Sequence, residues 1–328
     1  MTPKEKRAFL TSIMQNVYMI DRRLQMLRML AAHGTVSAAA ESLHYTPSAV
    51  SHQLRTLAED LGVTLITHHG RGVRLTPTAR TLLARSDALF AMWEEIQAEL
   101  AATAGEATGT LRLCGFSSAA AALLPTVAVR LHEVHPNLIV RIIEAAPADC
   151  FDLLLADQAD VAVVVALPDL PPTIDPRFDQ RLLLDDPLDL LVPANHPLAS
   201  RQSVSLEEAA DQLWIVDHPG TAYYQLVLTA CAVAGFTPAV AHEAVEWDTG
   251  AALVAAELGI ALVPRLAQIP SGYAISRVPL RGDPSPARHI LTSVRRGSRE
   301  QPIIAEALGA LTDLANQARH RDLAAQPD

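Results

Sequence analysis

The sequence predicts a multidomain protein in which a small helical module and a long helix precede a larger α/β body. Three observations lead to this prediction. The first 80 residues contain short amphipathic helical patterns that end in a β-prone hairpin. Residues 77–104 then keep one helical apolar period without a break. From Thr110 onward, β-prone runs alternate with helical patterns, which is typical of parallel sheets covered by helices.

Composition places the chain among globular proteins. Half of its 328 residues are hydrophobic, which suits buried cores. The longest apolar runs are too short to cross a bilayer, and the first residues lack the apolar core of a signal peptide. Three widely spaced cysteines imply no disulfide framework. We therefore expect a cytoplasmic protein without a membrane segment.

Charge is unevenly distributed along the chain. The net charge is −10, yet the first 80 residues hold ten Lys and Arg against five Asp and Glu. The remaining 248 residues hold 16 Lys and Arg against 31 Asp and Glu. This asymmetry indicates a small basic module joined to an acidic body, so the overall charge does not exclude a nucleic-acid partner.

The basic module contains three short helical patterns followed by a hairpin. The first pattern runs from Asp21 to Gly34, and Thr35 caps the second. Thr46 and Pro47 begin the third as N-cap and first helical residue. The run "VTLITHHGRGVRLT" then forms two short strands around a glycine-rich turn. This order of elements predicts a winged helix-turn-helix.

The third helix has an apolar face and a face of small polar residues. Val50, Leu54, Leu57 and Leu61 recur at helical spacing on the apolar face. Small residues at the head of a helix let its backbone approach base edges in the major groove, while the helix N-terminus favours a phosphate. The expected groove-facing residues are Ser48, Ser51, His52 and Arg55.

A heptad-like pattern runs along the long helix that begins at Pro77. A helix from Pro77 to Ala104 would be about 42 Å long, and a seam of that length favours a partner helix. We interpret it as a dimerisation coiled coil; the alternative is a long helix packed on its own domain. The members of the seam are Ala79, Leu82, Ser86, Leu89, Trp93, Ile96 and Leu100.

The α/β body is expected to form two lobes around a cleft. In the first lobe, "SSAAAALLPTVAVRLHEVH" reads as one helix. The α/β body is assigned to residues 110–320, with lobe I at 110–184 and 286–318 and lobe II at 187–282. The other assignments are an N-terminal extension at 1–18, the winged helix-turn-helix at 19–76, the linker helix and hinge at 77–109, and a tail at 321–328.

The sequence resembles the LysR-type transcriptional regulators over nearly its whole length from about Met19. The residues that carry the resemblance are "TVSAAAESLHYTPSAVSHQLRTLAEDLGVTLITHHGRGVRLTPTAR", with further matches in "LLPTVAVRLHEVHPNLIVRI", "LVPANHPLA" and "AAELGIALVP". The family implies a dimerising linker helix and a two-lobed effector domain that resembles type 2 periplasmic binding proteins. It also implies a homodimer or homotetramer on double-stranded promoter DNA, with a small-molecule effector in the cleft.

The chain departs from the family pattern at three positions. Pro47 stands where members commonly have glutamine, which implies a different base preference. His68 replaces a basic residue, which implies a weaker phosphate contact. Glu257 replaces a glycine common in the last motif, which changes the expected rim of the cleft.

Basic and hydroxyl side chains of the module are the expected DNA contacts. Arg55 suits a bidentate contact with guanine or a phosphate, and Thr46 can offer its hydroxyl to a phosphate. Arg71 and Arg74 of the wing are expected at the backbone or minor groove. The alternative for Arg55 and His52 is an ordinary solvated surface. The expected DNA-binding set is Thr46, Pro47, Ser48, Ser51, His52, Arg55, Arg71 and Arg74.

The strand-to-helix junction "CGFSSAA" is the expected ligand end of lobe I. Backbone N–H groups at such a junction suit an anion or carboxylate, and the resemblance places it at the cleft. The alternatives are that Ser117 is only a turn residue and Asp248 only a helix cap. The expected effector-binding set is Ser117, Ser118, His218, Trp247, Asp248 and Thr249.

Rival functions use the same cleft. A serine hydrolase would use the run from Gly115 to Ala119 as a nucleophile elbow, although Ala119 stands where glycine is expected. A solute-binding protein that kept the helix-turn-helix as a vestige is the third possibility. Cys114 could sense oxidants, but a buried core residue is the simpler interpretation.

No metal or cofactor is expected. The run "HEVH" at 132–135 is one residue short of the zinc-protease motif. The sequence contains neither a Walker loop nor a G-x-G-x-x-G motif.

Overall fold

The computed structural model describes residues 20–69, 72–103, 109–282 and 285–325. The expected N-terminal extension and Arg71 lie outside them. The helices are α1 (Arg22–His33), α2 (Val36–Ser42), α3 (Pro47–Leu61), α4 (Pro77–Thr103), α5 (Ser117–Ala122), α6 (Leu124–Val134), α7 (Pro147–Leu155), α8 (Ala222–Val233), α9 (Trp247–Ala255) and α10 (Pro302–Ala325). The strands are β1 (Ile66–His69), β2 (Gly72–Leu75), β3 (Gly109–Gly115), β4 (Leu138–Glu144), β5 (Val161–Val165), β6 (Phe178–Pro193), β7 (Leu213–Val216), β8 (Ala239–Glu243), β9 (Ala261–Pro264), β10 (Ile275–Pro279) and β11 (Ala287–Arg295).

Helices α1 to α3 and the hairpin β1–β2 form the helix-turn-helix module. Each helix starts at a side-chain cap, because Asp21, Thr35 and Thr46 accept hydrogen bonds from backbone N–H groups of the first turn. Gly34 and Gly62 end α1 and α3 with φ of 69° and 65°, the left-handed region that favours glycine. The predicted caps and stops of the module are thus present.

Lobe I is built on a sheet with strand order β6-β11-β5-β3-β4. β3 runs parallel to β4 and β5, whereas β11 is antiparallel to β5 and β6. Every residue of β5 is buried, and alternate residues join apolar cores on the two faces of the sheet. Because parallel strands end at the same edge, the residues after β3 lie at a natural ligand-binding edge.

Strand β6 passes from one lobe to the other. It pairs with β11 up to Pro187, and from Leu188 onward it pairs with β9 and β10. In lobe II, β7 and β8 are parallel, and a bridge between Trp214 and Ile260 joins β7 to the start of β9. The chain therefore changes lobe within one continuous strand.

Two helices differ from the sequence expectation. The run after Phe116 forms α5 and α6 rather than one helix, with a break at Leu123. Pro125 explains the break, because proline fits the first turn of α6 but cannot continue a helix from α5. Helix α10 continues to Ala325, past the expected end of lobe I at residue 318, since no proline follows Pro302 before Pro327.

The linker helix α4 packs on lobe I of its own chain along one side. Ser86, Glu94 and Ala98 are buried residues of this helix. Glu94 forms an ion pair with Arg295 of β11 and accepts a hydrogen bond from Gln301 at 3.0 Å. The alternative interpretation of the helix as packed on its own domain is therefore correct for this side.

Candidate DNA interface and effector cleft

Helix α3 is held by its apolar face and exposes the opposite one. Val50, Leu54 and Leu57 are buried in the core of the module, whereas Leu61, expected on the same face, is exposed at the last residue of the helix. Their 3.6-residue period leaves the other side of the helix free of packing. All four expected groove-facing residues, Ser48, Ser51, His52 and Arg55, are exposed.

The leading end of α3 is polar but free of negative charge. The first turn contains no acidic residue, so nothing offsets the positive end of the helix dipole. Thr46 Oγ1 accepts a hydrogen bond from the N–H of Ala49 at 3.2 Å and lies 3.1 Å from Ser48 Oγ. Because the cap uses the oxygen of Thr46 as acceptor, a phosphate could take only its hydroxyl proton.

Arg55 is the most prominent cation of the α3 surface. Its Nη2 lies 3.1 Å from Nδ1 of His52, and its Nε lies 3.8 Å from a carboxylate oxygen of Glu59. The contact with Glu59 is between two side chains more than 65% exposed, so it holds Arg55 only weakly. The guanidinium therefore keeps most of its donors for a ligand in the groove.

The wing is a short antiparallel hairpin in which Thr67 pairs with Arg74. Arg74 is exposed. Together with Arg80 it lines a groove of about 550 Å³ between the wing and the start of α4. Two arginines at this surface suit contacts with the DNA backbone.

The serine junction is the turn from β3 into α5 that carries Ser117 and Ser118, and Arg288 of the same chain occupies part of it. Ser117 is exposed, whereas Ser118 is buried and its Oγ accepts a hydrogen bond from Nη2 of Arg288 at 2.9 Å. Arg288 also donates to Asp186 at 2.6 Å, and its guanidinium lies 5.1 Å from the centre of the Phe116 ring. A ligand that reaches Ser118 must therefore share it with Arg288.

The expected residues of lobe II follow β7 and begin α9. His218 Nδ1 lies 2.8 Å from a carboxylate oxygen of Glu243. Asp248 accepts a hydrogen bond from the hydroxyl of Tyr273 at 3.0 Å and lies in the first turn of α9. The N-cap position belongs to Glu246, so the interpretation of Asp248 as the helix cap is wrong.

Glu257 lies away from the serine junction. Its carboxylate accepts a hydrogen bond from Asn195 Nδ2 at 2.7 Å, beside the end of β6 in lobe II. Gly259 and Leu213 join it in a surface pocket of about 340 Å³ at the start of β9. Glu257 keeps a φ of 60°, the left-handed conformation in which glycine would be favoured.

Three residues at the junction of the lobes were not predicted from the sequence: Asp186, Tyr223 and Arg288. The Tyr223 hydroxyl donates to the carbonyl of Leu262 at 3.0 Å, and its ring meets Trp247 edge-on at 5.0 Å between centres. Burial raises the pKa of Tyr223, and the charge of Arg288 opposes that rise. Tyr223 of lobe II and Arg288 of lobe I thus lie within electrostatic reach of each other.

The chemistry of the junction does not favour a serine nucleophile. The partner of the Ser118 hydroxyl is a guanidinium, which stays protonated and cannot act as a base. Among the residues that the structure describes, no imidazole forms a hydrogen bond with Ser117. Within the same residues, no cluster of three His, Cys, Asp or Glu side chains could hold a metal ion. No described helix is both long and apolar enough to span a membrane.

The side of α4 that faces away from lobe I carries an exposed apolar row. Leu89, Met92, Ile96 and Leu100 are 40–61% exposed, and their spacing places them on one face. Ala79 and Ser86, expected in the same seam, are instead buried within the chain. The coiled-coil interpretation therefore applies only to the outer row of the helix.

Comparisons with known proteins define the class of the two parts of the chain. Residues 22–80 match the model of the bacterial regulatory helix-turn-helix proteins of the lysR family, and residues 104–316 match the LysR substrate binding domain. The chain belongs to the LysR family. It is a DNA-binding transcriptional regulator with an effector-binding domain.

Individual relatives are regulators of similar length. The transcriptional dual regulator GltC of Bacillus subtilis is 28% identical over 243 residues, which cover 74% of this chain and 80% of the relative. A probable hydrogen peroxide-inducible genes activator of Streptomyces viridosporus is 27% identical over 296 residues, 89% of this chain and 93% of the relative.

Solved structures show the same fold. A full-length OxyR variant from Pseudomonas aeruginosa superposes with a TM-score of 0.62 at 23% identity, covering 90% of this chain and 98% of that one. Full-length BenM superposes with a TM-score of 0.54 at 23% identity, covering 91% of this chain and 97% of BenM. The arrangement of a helix-turn-helix followed by a two-lobed α/β domain is therefore shared with full-length regulators.

Proposed function

We propose that the chain binds promoter DNA through α3 and the wing. The observation that carries this proposal is the exposed face of α3, where Ser48, Ser51, His52 and Arg55 surround a helix N-terminus without negative charge. Thr46 and Pro47 shape the head of that helix, and Arg71 and Arg74 of the wing contact the backbone or the minor groove.

The protein acts on DNA as a homodimer or homotetramer. The exposed row on α4 supports this assembly, because apolar side chains at helical spacing are stabilised when a second helix covers them. A dimer also matches the two half-sites that helix-turn-helix regulators read.

A small-molecule effector binds between the lobes. Ser117 and Ser118 contact it from lobe I, and His218, Trp247, Asp248 and Thr249 contact it from lobe II. Exposed polar groups on both sides support this site, with Arg288 and Tyr223 where the lobes meet. The chain binds the effector and the DNA without catalysing a reaction. It works in the cytoplasm, where the promoter is.

Selection of duplexes from a random pool tests the DNA-binding role. The full chain should enrich one sequence and bind it at least about a hundredfold more tightly than a scrambled duplex, because base contacts add to the phosphate contacts. Equal affinity for both duplexes would contradict the proposal. A screen of small molecules for changed operator affinity then tests the cleft, with Thr249→Ala as the cleft variant and Thr312→Ala of α10 as its control.

A further inference from the structure

The helix-turn-helix module touches lobe I of the same chain at a second place, separate from the linker helix. We call this contact the module seam, and define it as Gln25, His33 and Ser42 of the module with Asp152, Leu155 and Gln158 of lobe I. Gln25 Nε2 donates to the carbonyl of Leu155 at 3.0 Å, and Gln158 Nε2 donates to the carbonyl of Ser42 at 3.4 Å. Leu155 ends α7 and Ser42 ends α2, so each glutamine donates to a carbonyl at a helix end, where the last four carbonyls have no partner within the helix.

A histidine adds a third contact to the module seam. His33 Nε2 lies 3.1 Å from Asp152 Oδ2 and 2.9 Å from Ser42 Oγ. The Ser42 hydroxyl donates its own proton to the carbonyl of Ala38, so Nε2 of His33 is the donor to Ser42. The imidazole therefore joins α1 and α2 of the module to α7 of lobe I.

Apolar packing continues across the module seam. Leu27, Met29 and Leu30 of α1 belong to the same buried cluster as Phe151 and Leu154 of α7. A continuous core of this kind favours a fixed relative orientation, because interiors are close-packed and resist small shifts.

The linker helix fixes the module from a third direction. Arg28 of α1 is buried, with its Nε 2.9 Å from Asp87 and its guanidinium 4.2 Å from the centre of the Phe90 ring, both on α4. On its other side α4 is held to lobe I by the contact of Glu94 with Arg295. Module, linker helix and lobe I thus contact one another pairwise.

The module seam leaves the DNA-reading surface open. Ser51, His52 and Arg55 of α3 are exposed, and none of them contributes to the contacts with lobe I given above. An inhibitory contact would cover these residues, whereas a positioning contact would leave them free.

We infer that lobe I, through the module seam, sets the orientation of the DNA-binding module and thereby the half-site spacing that the dimer accepts. Gln25, His33, Asp152 and Gln158 are positioning residues in this inference, which rests on the proposed function. Half-sites repeat with the helical turn of about 10 base pairs, so a rigid module accepts only spacings that present the same face.

A spacing series on the selected operator tests the inference. Duplexes carry one half-site, two half-sites at the selected spacing, or two half-sites with about 5 extra base pairs, which turns one of them to the opposite face. The full-length protein should lose about tenfold or more in affinity on that insertion. The variant Gln25→Ala/Asp152→Asn/Gln158→Ala should lose only about threefold or less in affinity on the same insertion. Its affinity for the duplex with one half-site should be unchanged. Asp149→Asn, an exposed carboxylate change on the same α7, should behave as the unmodified chain.

The outcomes separate the inference from the proposed function. Relaxed spacing in the triple variant, with half-site affinity intact, supports the inference. An unchanged spacing preference overturns it and leaves the DNA-binding role standing. Reduced half-site affinity in the triple variant overturns it as well, because the seam would then only support the fold of the module; Asp152→Asn alone repeats the test with a milder change. Absence of half-site binding by the unmodified chain overturns the proposed function itself.

Discussion

His52 and Arg55 contact each other on the exposed face of α3, with His52 Nδ1 3.1 Å from Arg55 Nη2. Because Arg55 has no acceptor atom, the imidazole nitrogen accepts and the remaining ring N–H points elsewhere. Two side chains that are expected to face the major groove are thus arranged as a pair, which limits the rotamers of the long Arg55 side chain.

This pairing predicts a non-additive double-mutant cycle for operator binding. Arg55→Ala should lower the affinity by about 1–3 kcal/mol, the range for a bidentate base contact, and His52→Ala by about 1 kcal/mol. The double variant should lose less than the sum, since His52 acts partly through Arg55. Fluorescence anisotropy titrations would measure the three changes. Strict additivity would show that the two residues act independently.

Arg74 should contribute to the salt dependence of binding more than to its sequence preference. Arg74→Ala should weaken binding to operator and scrambled DNA alike, and reduce the slope of log affinity against log salt by about 1. Titrations at several salt concentrations give the slope. Arg181→Ala, an exposed arginine of lobe I, is the control and should leave the slope unchanged. A loss of affinity for the operator alone, without a loss for scrambled DNA, would show that Arg74 reads bases.

The exposed row on α4 should determine oligomeric state. Leu89→Glu/Ile96→Glu places two charges in the row and should shift the protein towards monomer, because burying them in a helix interface is costly. Sedimentation velocity measures the distribution. Gln97→Glu adds a charge at an exposed site of the same helix outside the row, and should leave the assembly intact. An unchanged assembly in the double variant would place the interface elsewhere.

Asp160 should make folding stability depend on acid pH. Burial alone would raise its pKa, but hydrogen bonds from Arg112 and the charge of Arg295 lower the pKa below its ordinary value. The pKa of such a carboxyl group is lower in the folded protein than in the unfolded chain, where it is about 3.9. The group therefore contributes its full stabilisation above about pH 3.9, and this contribution is lost as the pH falls towards the pKa in the folded protein.

Urea midpoints between pH 6 and pH 3 check this expectation. The midpoint should fall with pH, and Asp160→Asn should show a lower midpoint at pH 6 together with a shallower fall. Asp169→Asn, an exposed carboxylate change, should keep the full slope. A variant at Asp160 with the same slope as the unmodified chain would contradict the assignment.

Local signals made the helix-turn-helix predictable. The Thr46–Pro47 start, the apolar period of Val50 and Leu54, and the stop at Gly62 all lie within 17 residues of sequence. Each acts through bonds between near neighbours, so the sequence alone shows both the helix and its exposed face.

Long-range pairs were not predictable from the same signals. Ser118 and Arg288 are 170 residues apart, and Gln25 and Leu155 are 130 apart, so no periodicity connects them. The seam on α4 was wrong at Ala79 and Ser86 for the same reason, because an apolar period marks a face but not the partner that covers it. The effector-site and DNA-contact residues remain predictions.

The most direct test of the DNA-binding assignment compares the full-length chain with Arg55→Ala on the selected operator and a scrambled duplex at about 0.1 M salt. Arg55→Ala should remove most of the preference for the operator, while the affinity for the scrambled duplex changes little and the assembly and thermal midpoint stay the same. An operator preference that survives the substitution would contradict the role of α3 as the DNA-reading helix.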